Sequence, residues 1–398
     1  MKGKRYVRSL AVIMSLALLW TALSLPAPTT AKTANLSQQP TGTEAPCRTA
    51  SSWATVANPG PTGSIAALYS IGVVSSSDVW AVGEQYNYAY GAYQPLVKHW
   101  DGTQWAIVPS TNYLGSMRGV TVVASDNIWA VGFRLGYAGS SVLLHWDGVS
   151  WTYPSHHITG HANKLFAVAA ISANDIYAVG EAASQPLVAH WNGGEWTTVA
   201  NPAIANSKLN GISIVSGNNI WAVGSSASDS ETLIMHYDGA AWTRVASPNV
   251  GSYQNVLTSV VTLSATNAWA VGYASNGTTG YQGITLHYDG ASWSTVPNGT
   301  AGMGNIYLSG VAAASSGDVW AVGRNVTASS TNTFALRYNG SSWAVARTAN
   351  PGGSISKLLG VVNKAGAVWA VGTADATGGY YNTLIEKYAA GACPGSTP

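Results

Sequence analysis

Apolar and polar positions along the chain follow one pattern that recurs seven times. Each unit begins with a short apolar run and a polar turn, and continues with an uninterrupted apolar run such as Val79-Trp80-Ala81-Val82-Gly83. Uninterrupted apolar runs are typical of strands buried on both faces. A variable segment follows, and then an apolar run that ends at Asp-Gly or Asn-Gly, a strong hairpin signal. The pattern predicts four antiparallel strands in each unit, here called A, B, C and D.

The strand-B aromatic residues show the repeat most clearly. They are spaced 44 to 51 residues apart, at Trp80, Trp129, Tyr177, Trp221, Trp269, Trp320 and Trp369. Six units continue through a hairpin such as His99-Trp100-Asp101-Gly102 to a Trp that opens strand D. Repeated four-stranded units of this length predict the blades of a β-propeller.

The two ends of the chain complement each other. The seventh unit reads AAGACP after Tyr388 and has no closing Trp, whereas residues 51–57 match a strand D. We therefore predict an all-β, seven-bladed β-propeller with four antiparallel strands per blade, its ring closed by the N-terminal strand in the last blade. The two cysteines, Cys47 and Cys393, flank this closure. We expect them to form a disulfide, with two free thiols as the alternative.

The N-terminal residues have the features of a secretory signal. Four basic side chains precede an uncharged stretch at residues 9–25, and small residues end at Ala31. An uncleaved anchor is the alternative, because the stretch nearly reaches spanning length. We expect a secreted or cell-surface protein with no stable membrane insertion after cleavage. The predicted parts are a signal peptide at 1–31, a flexible linker at 32–46, the propeller at 47–393 and a tail at 394–398.

Composition and charge exclude two classes. A chain that is 46% hydrophobic can bury a large core, so disorder is excluded. The whole chain has 18 Lys and Arg against 16 Asp and Glu, and without the four basic residues of the signal the balance is 14 against 16, or −2. No basic stripe remains to neutralise phosphates, which argues against a nucleic-acid partner.

Residues 51–390 resemble Kelch-like propeller repeats, and most closely the exported bacterial propellers with WAVG/HWDG repeats. Kelch blades combine an aromatic-bearing apolar strand that ends in paired glycines with a Tyr-Asp hairpin and a Trp. Here a single Gly ends each WAVG run, and the distance from Asp101 to Trp105 is shorter. Asp-box blades of glycosidases have a similar hairpin, but their Gly does not directly follow the Asp. The resemblance implies the fold and no particular chemistry, since propellers serve both binding and catalysis.

Repeated polar residues are interpreted as structural, because a catalytic residue is normally unique. This applies to the hairpin aspartates and to the five His residues that precede strand-C aromatics. Glu84 and Glu181 occupy one position in the first and third blades, where two carboxylates could act as acid and base. We expect them to be solvated or to contact a ligand. His156, His157 and His161 cluster once, with spacing that could hold a metal, and this question stays open. We expect no cofactor.

Strand alternation assigns the turns and loops to two faces. The A–B and C–D turns share one face and are uniform, whereas the B–C and D–A loops share the other and vary in length and content. Binding residues are commonly found in variable loops on a rigid scaffold. The predicted binding residues are Glu84, Tyr86, Tyr88, Tyr90, Tyr93, Phe133, Tyr137, Glu181, Tyr273, Tyr281, Arg324, Tyr380 and Tyr381.

Two functions fit this sequence. The first is an exported, monomeric, non-enzymatic binding module or scaffold that uses the aromatic variable-loop face to bind a glycan or a protein. The alternative is a glycoside hydrolase or lyase with its site at the channel mouth. A cluster of carboxylates or His residues at the mouth would favour the enzyme, and an open aromatic ledge would favour binding.

Overall fold

The computed structural model describes residues 52–61, 64–110, 114–134, 140–158, 162–278, 280–375 and 380–389. Within these ranges the chain forms strands and no helix, arranged in seven antiparallel four-stranded sheets, one of which gains a short fifth strand. This confirms the predicted seven-bladed propeller. Strand A is innermost in every blade, and the seven A strands surround a central channel.

The strands are numbered in chain order. The chain starts with β1 (Ser52–Thr55), which belongs to blade 7. Blade 1 contains β2 (Ala66–Ser75), β3 (Asp78–Asn87), β4 (Ala92–Trp100) and β5 (Trp105–Val108). Blade 2 contains β6 (Ser116–Ala124), β7 (Asn127–Phe133), β8 (Ser141–Trp146) and β9 (Trp151–Thr152). Blade 3 contains β10 (His156–His157), β11 (Lys164–Ser172), β12 (Asp175–Ala182), β13 (Gln185–Trp191) and β14 (Trp196–Thr198).

The remaining blades follow the same order of strands. Blade 4 contains β15 (Lys208–Ser216), β16 (Asn219–Ser226), β17 (Glu231–Tyr237) and β18 (Trp242–Val245). Blade 5 contains β19 (Gln254–Ser264), β20 (Asn267–Ser275), β21 (Tyr281–Tyr288) and β22 (Trp293–Thr295). Blade 6 contains β23 (Asn305–Ser315), β24 (Asp318–Val326), β25 (Thr331–Tyr338) and β26 (Trp343–Ala346). Blade 7 contains β27 (Ser356–Lys364), β28 (Ala367–Asp375) and β29 (Tyr381–Ala389), together with β1.

The N-terminal strand closes the ring as predicted. β1 pairs antiparallel with β29, so that Ser52 lies opposite Ala389 and Trp53 opposite Tyr388. The Trp53 ring is buried and meets the Trp320 ring of blade 6 edge-on at 5.3 Å. The predicted signal peptide, linker and tail, and both cysteines, lie outside the described residues. No helix among the described residues is long and apolar enough to cross a membrane.

The core lies between neighbouring blades. Apolar residues of one blade's strands B and C pack against strands A to C of the next, as Val223 and Ile234 of blade 4 do against Leu257 and Ala270 of blade 5. This explains why strand B is apolar at consecutive positions. Each of its faces contacts a different blade, so neither face is left for solvent.

The repeated His residues pack within their own blades. Trp80 and His99 are cross-strand partners with ring centroids 4.3 Å apart, and His99 Nε2 lies 2.9 Å from Asp78 Oδ1. In blade 6, Arg337 replaces the His, donates from Nε to Asp318 at 2.9 Å and lies over the strand-B Trp. Each of these side chains therefore holds the polar turn against the strand-B aromatic ring.

One strand-C position differs at the closure of the ring. Five blades place an apolar residue there, but blade 1 has Lys98 and blade 7 has Glu386, both fully buried. Lys98 Nζ donates to Asn58 Oδ1, to the carbonyl oxygen of Pro59 and to Thr383 Oγ1 at 2.5 to 2.6 Å. Burial lowers the pKa of Lys98 to about 7 and raises that of Glu386 to about 7.

Candidate functional site at the channel mouth

A β-bulge in each strand A supplies the wall of the central cavity. The bulge follows an invariant Leu or Met and leaves the next residue without a cross-strand partner, as between Leu68 and Ser70. These unpaired residues line a cavity of about 400 Å³. They are Tyr69, Arg118, Phe166, Asn210, Thr258, Ser309 and Leu359.

The repeated glycine that ends each WAVG run inside strand B makes this bulge possible. A Cβ at Gly323 would lie 1.9 Å from the carbonyl oxygen of Tyr307, and the other six glycines are equally close to their own strand A. Such a distance excludes any side chain. The sequence shows these glycines plainly, but it does not show that they serve a close approach of two backbones.

Two further residues per blade surround the opening on the variable-loop side. One precedes the invariant Leu or Met of strand A, the other follows the strand-B glycine, and the two pair with each other, as Lys164 does with Glu181 and Tyr307 with Arg324. These residues, the bulge residues and the B–C loops are here called the mouth. Among the described residues, the strand positions of the mouth hold five cations and two carboxylates, a balance of +3.

In blades 1 and 2 the mouth charges are paired. Tyr69 Oη donates to Glu84 Oε1 at 2.7 Å, and Arg118 Nη2 lies 3.5 Å from Glu84 Oε2. The Arg118 guanidinium also stacks on the Tyr69 ring at 3.8 Å and lies 5.1 Å from the Phe133 ring centroid. Burial is the main cause that raises the pKa of Tyr69 far above its usual range, so the phenol stays a donor.

Blades 3 and 4 also pair their charges. Lys164 Nζ lies 2.7 Å from Glu181 Oε1, and Lys208 Nζ lies 3.0 Å from Asp229 Oδ1. Ser225 donates a further hydrogen bond to Asp229. A polar cavity of about 220 Å³ separates the two ion pairs. Its wall includes Ser228 and Asp229, which have positive φ, a strained conformation that is enriched at functional sites.

Blades 5 and 6 present aromatic rings around one cation. The Tyr307 ring centroid lies 5.0 Å from that of Tyr273 and 4.7 Å from that of Tyr281. The Arg324 guanidinium lies over Tyr307 at 4.2 Å, a cation–π contact. No carboxylate lies within ion-pair distance of Arg324 in the described part of the chain.

Between blades 7 and 1 lies a cavity of about 270 Å³. Lys357 and Glu84 line it together with the rings of Tyr69, Tyr93 and Tyr381. Nearby, Tyr86 meets Tyr88 and Tyr93 edge-on at 4.9 and 5.1 Å. These contacts extend the aromatic surface from the cavity into the first B–C loop.

The outermost rings of that loop are exposed. Tyr88 and Tyr90 are 57% and 66% exposed, and Tyr88 faces Tyr380 of blade 7 at 6.4 Å. The predicted aromatic residues therefore gather in a group at blades 1 and 7 and a second at blades 5 and 6. Phe133 packs with Phe166 in a third group, and Tyr137 lies outside the described residues.

The two predicted carboxylates are engaged separately. Glu84 is held by Tyr69 and Arg118, and Glu181 by Lys164, in blades 1 and 3. The strand-A residues that hold them were not predicted from the sequence, and neither were Lys208, Tyr307 and Lys357. A signal was present: all six flank the invariant Leu or Met of strand A, at two positions whose residue type changes around the ring, although Lys precedes that Leu in blades 3, 4 and 7.

The predicted His cluster is only partly described. His156 and His157 form β10, which pairs in parallel with β14 at the outer edge of blade 3. His157 Nδ1 lies 2.6 Å from Glu195 Oε2, and both side chains are substantially exposed. His161 lies outside the described residues. Within the described ranges, no group of three His, Cys, Asp or Glu side chains is placed to hold a metal ion.

These features define the chain as a seven-bladed β-propeller with a divergent, charged and aromatic mouth. It is similar to the solved structure of YCF48 bound to a D1 peptide, with a TM-score of 0.56 and 13% identity over 85% of this chain and 95% of that one. YCF48 from Cyanidioschyzon merolae gives a TM-score of 0.54 and 16% identity over 85% and 98%. At such identities the likeness shows the fold alone. No protein-family model and no curated protein matches the chain, so the Kelch-like resemblance stays a prediction.

Proposed function

We propose that this chain is a non-enzymatic, protein-binding propeller that holds a polypeptide segment across its channel mouth. One observation carries the proposal. The three mouth positions of each strand pair hold a different set of residues in every blade, whereas the turns on the opposite face repeat theirs. A rigid scaffold with one divergent face commonly binds on that face.

The chemistry of the mouth favours a polypeptide. Tyr and Arg are enriched at protein interfaces, where flat rings bury area with little loss of side-chain entropy. Here Tyr307 and Arg324 stack on each other, and the mouth presents both signs of charge. The YCF48 structure with a D1 peptide supports the proposal, because a propeller of similar fold accommodates a peptide.

A glycan is the second candidate ligand. The observation that favours it is the exposure of Tyr88 and Tyr90, whose rings could stack on sugar faces. An enzyme finds less support, because Glu84 and Glu181 are each held by a cation of their own and stand in separate blades. Export to the cell surface belongs to the proposal as well, and rests on residues 1–31.

The test compares two arrays. The protein is applied to random 12-residue peptides and, in parallel, to a glycan array, and the bound site is mapped by hydrogen exchange. We expect peptide binding that protects the backbone of the B–C loops of blades 1 and 6 and leaves the hairpin around Asp101 unchanged. Binding to glycans alone, or protection confined to the hairpin face, would contradict the proposal.

A further inference from the structure

Charge is distributed unevenly around the mouth. Arg118, Lys164 and Lys208, in blades 2 to 4, each lie beside a carboxylate. Arg324, on strand B of blade 6, and Lys357, on strand A of blade 7, have no such partner among the described residues. The two unpaired cations are therefore neighbours on one side of the channel.

Lys357 is the less satisfied of the two. Arg324 stacks on Tyr307, but no hydrogen bond or ion pair joins Lys357 Nζ to any side chain in the described ranges. Burial is the main cause that lowers the pKa of Lys357, and the Arg324 and Arg118 guanidiniums lower it further against the opposing effect of Glu84. A half-buried ammonium group without a partner is unfavourable, and an anion would relieve it.

The surroundings of Lys357 have room for a ligand group. The cavity of about 270 Å³ that it shares with Glu84 opens between blades 7 and 1, and Tyr69, Tyr93 and Tyr381 form its walls. Glu84 already accepts from Tyr69 and faces Arg118. With Glu84 neutralised by Arg118, two cations, Arg324 and Lys357, remain beside the cavity, which favours an incoming anion over a cation.

We propose that this cavity is an anchor site for a carboxylate of the bound polypeptide. The carboxylate contacts Lys357 Nζ, Arg324 lies beside it, and the tyrosine rings line the cavity around it. The inference rests on the proposed function and adds the chemical class of the anchor. The carboxylate belongs to an Asp or Glu side chain or to the chain terminus. A uronate of a glycan offers the same group, and the experiment separates these sources.

The experiment begins with peptides selected from a random 12-residue library by the wild-type protein. Each selected peptide is synthesised in three forms: unchanged, with every Asp and Glu replaced by Asn and Gln, and with an amidated terminus. Fluorescence anisotropy gives Kd for the wild type, Lys357→Gln and Arg324→Gln. Lys364→Gln is the matched control, because Lys364 ends the same strand β27 on the opposite face and is exposed.

We expect Lys357→Gln to weaken binding of the unchanged peptide about tenfold, in keeping with the loss of one charge-assisted contact. The neutral or the amidated peptide should bind the wild type about tenfold more weakly than the unchanged peptide does. Lys357→Gln should bind these peptides and the unchanged peptide with equal Kd, as in a double-mutant cycle. Whichever form loses affinity identifies the side chain or the terminus as the source. Lys364→Gln should bind like the wild type.

The outcomes separate this inference from the proposed function. Selected peptides that bind equally well without their carboxylates would overturn the anchor site and leave the peptide-binding propeller standing. A library that yields no binder would overturn both. Lys357-dependent binding of uronate glycans, with none of peptides, would also overturn the polypeptide anchor.

Discussion

The two faces of the disc use polar side chains in different ways. On the face of the A–B and C–D turns, Asp101 Oδ1 accepts hydrogen bonds from the amides of Thr103 and Gln104, and an Asp or Asn repeats this in six blades. At the mouth no two blades share the same residues at the three strand positions. Residues that repeat are the ones every blade needs to fold, whereas a single ligand needs its contacts only once.

The largest expected effect comes from a repeated residue inside the blade. Gly323→Val would place side-chain atoms on the carbonyl of Tyr307, at a site with no room for a Cβ. We expect the free energy of unfolding to fall by about 4 kcal/mol or more, measured by urea denaturation. Gly317→Ala, in the A–B turn of the same blade, meets only ordinary contacts at 3.7 Å and beyond, and should change little. Equal effects of the two substitutions would show that the close approach is not what requires glycine.

The second prediction concerns Glu386, an exception to this difference between the two faces. A Glu stands at this strand-C position in blade 7 alone, and yet the residue does not lie at the mouth. Its pKa is raised from 4.5 to about 7 by burial, so the folded state holds a proton that the unfolded state releases. The contribution of Glu386 to the free energy of unfolding should therefore fall by about 3 kcal/mol as the pH rises from about 4.5 to about 7. Lys98, whose folded pKa is about 7, is protonated in both states at about pH 4.5 to 6 and adds an opposing slope only from about pH 6 upward.

Glu386→Gln should remove this pH dependence. Urea denaturation at pH 4.5 and pH 8 should show similar stability at the lower pH and a more stable variant at the higher pH. Glu231→Gln is the control, because Glu231 forms an exposed ion pair with Arg244, and such pairs contribute little. Parallel curves for the wild type and Glu386→Gln would contradict the assignment of the slope to this carboxyl.

The third prediction concerns the exposed rings of the mouth. Tyr88→Ala with Tyr90→Ala should weaken the binding of a selected peptide about fivefold and leave the melting temperature nearly unchanged, because these rings contact solvent more than protein. Tyr93 is left unchanged in this variant, because its ring packs against that of Tyr86. Ser76→Ala with Ser77→Ala, on the opposite face, is the matched control and should bind like the wild type. Loss of binding in the serine variant alone would reverse the assignment of the faces.

The smallest expected effect is at a repeated turn. Asp101→Ala removes the acceptor for Thr103 and Gln104, and should lower the melting temperature by about 2 °C with no change in binding. Asp101→Asn keeps an acceptor, as the native Asn192 and Asn339 do in blades 3 and 6, and should be nearly neutral at pH 7. Hydrogen bonds from Thr103 and Gln104 lower the pKa of Asp101 to about 2. The contribution of Asp101 is therefore present above pH 4 and lost as the pH falls towards 2.

The fold could be predicted because its signals are local and repeated. Three signals each predict a short segment of backbone: the Asp-Gly hairpins, the strand-B runs and the N-terminal match to strand D. Because the pattern recurs in seven blades, the prediction for one blade is supported by the others. The face that carries Glu84 and Arg324 also followed from strand alternation.

The charges of strand A could not be predicted in the same way. Arg118 and Lys357 lie in apolar runs whose side-chain directions depend on the bulge, and alternation alone does not locate a bulge. Lys98 was missed for a different reason. Its burial depends on Asn58 and Pro59, which follow β1 of blade 7 in the chain.

The closure by β1 also determines how the propeller would respond to a pulling force. Because β1 and β29 are antiparallel, Ser52 and Ala389 lie side by side at the ends of the two strands that lead out of the ring. Tension on the two chain ends would act first on this pair and would separate the ladder one residue pair at a time, down to Thr55 and Glu386. The ring would thus unzip at low force, unless the predicted Cys47–Cys393 bridge, placed before the first pair, carried the load.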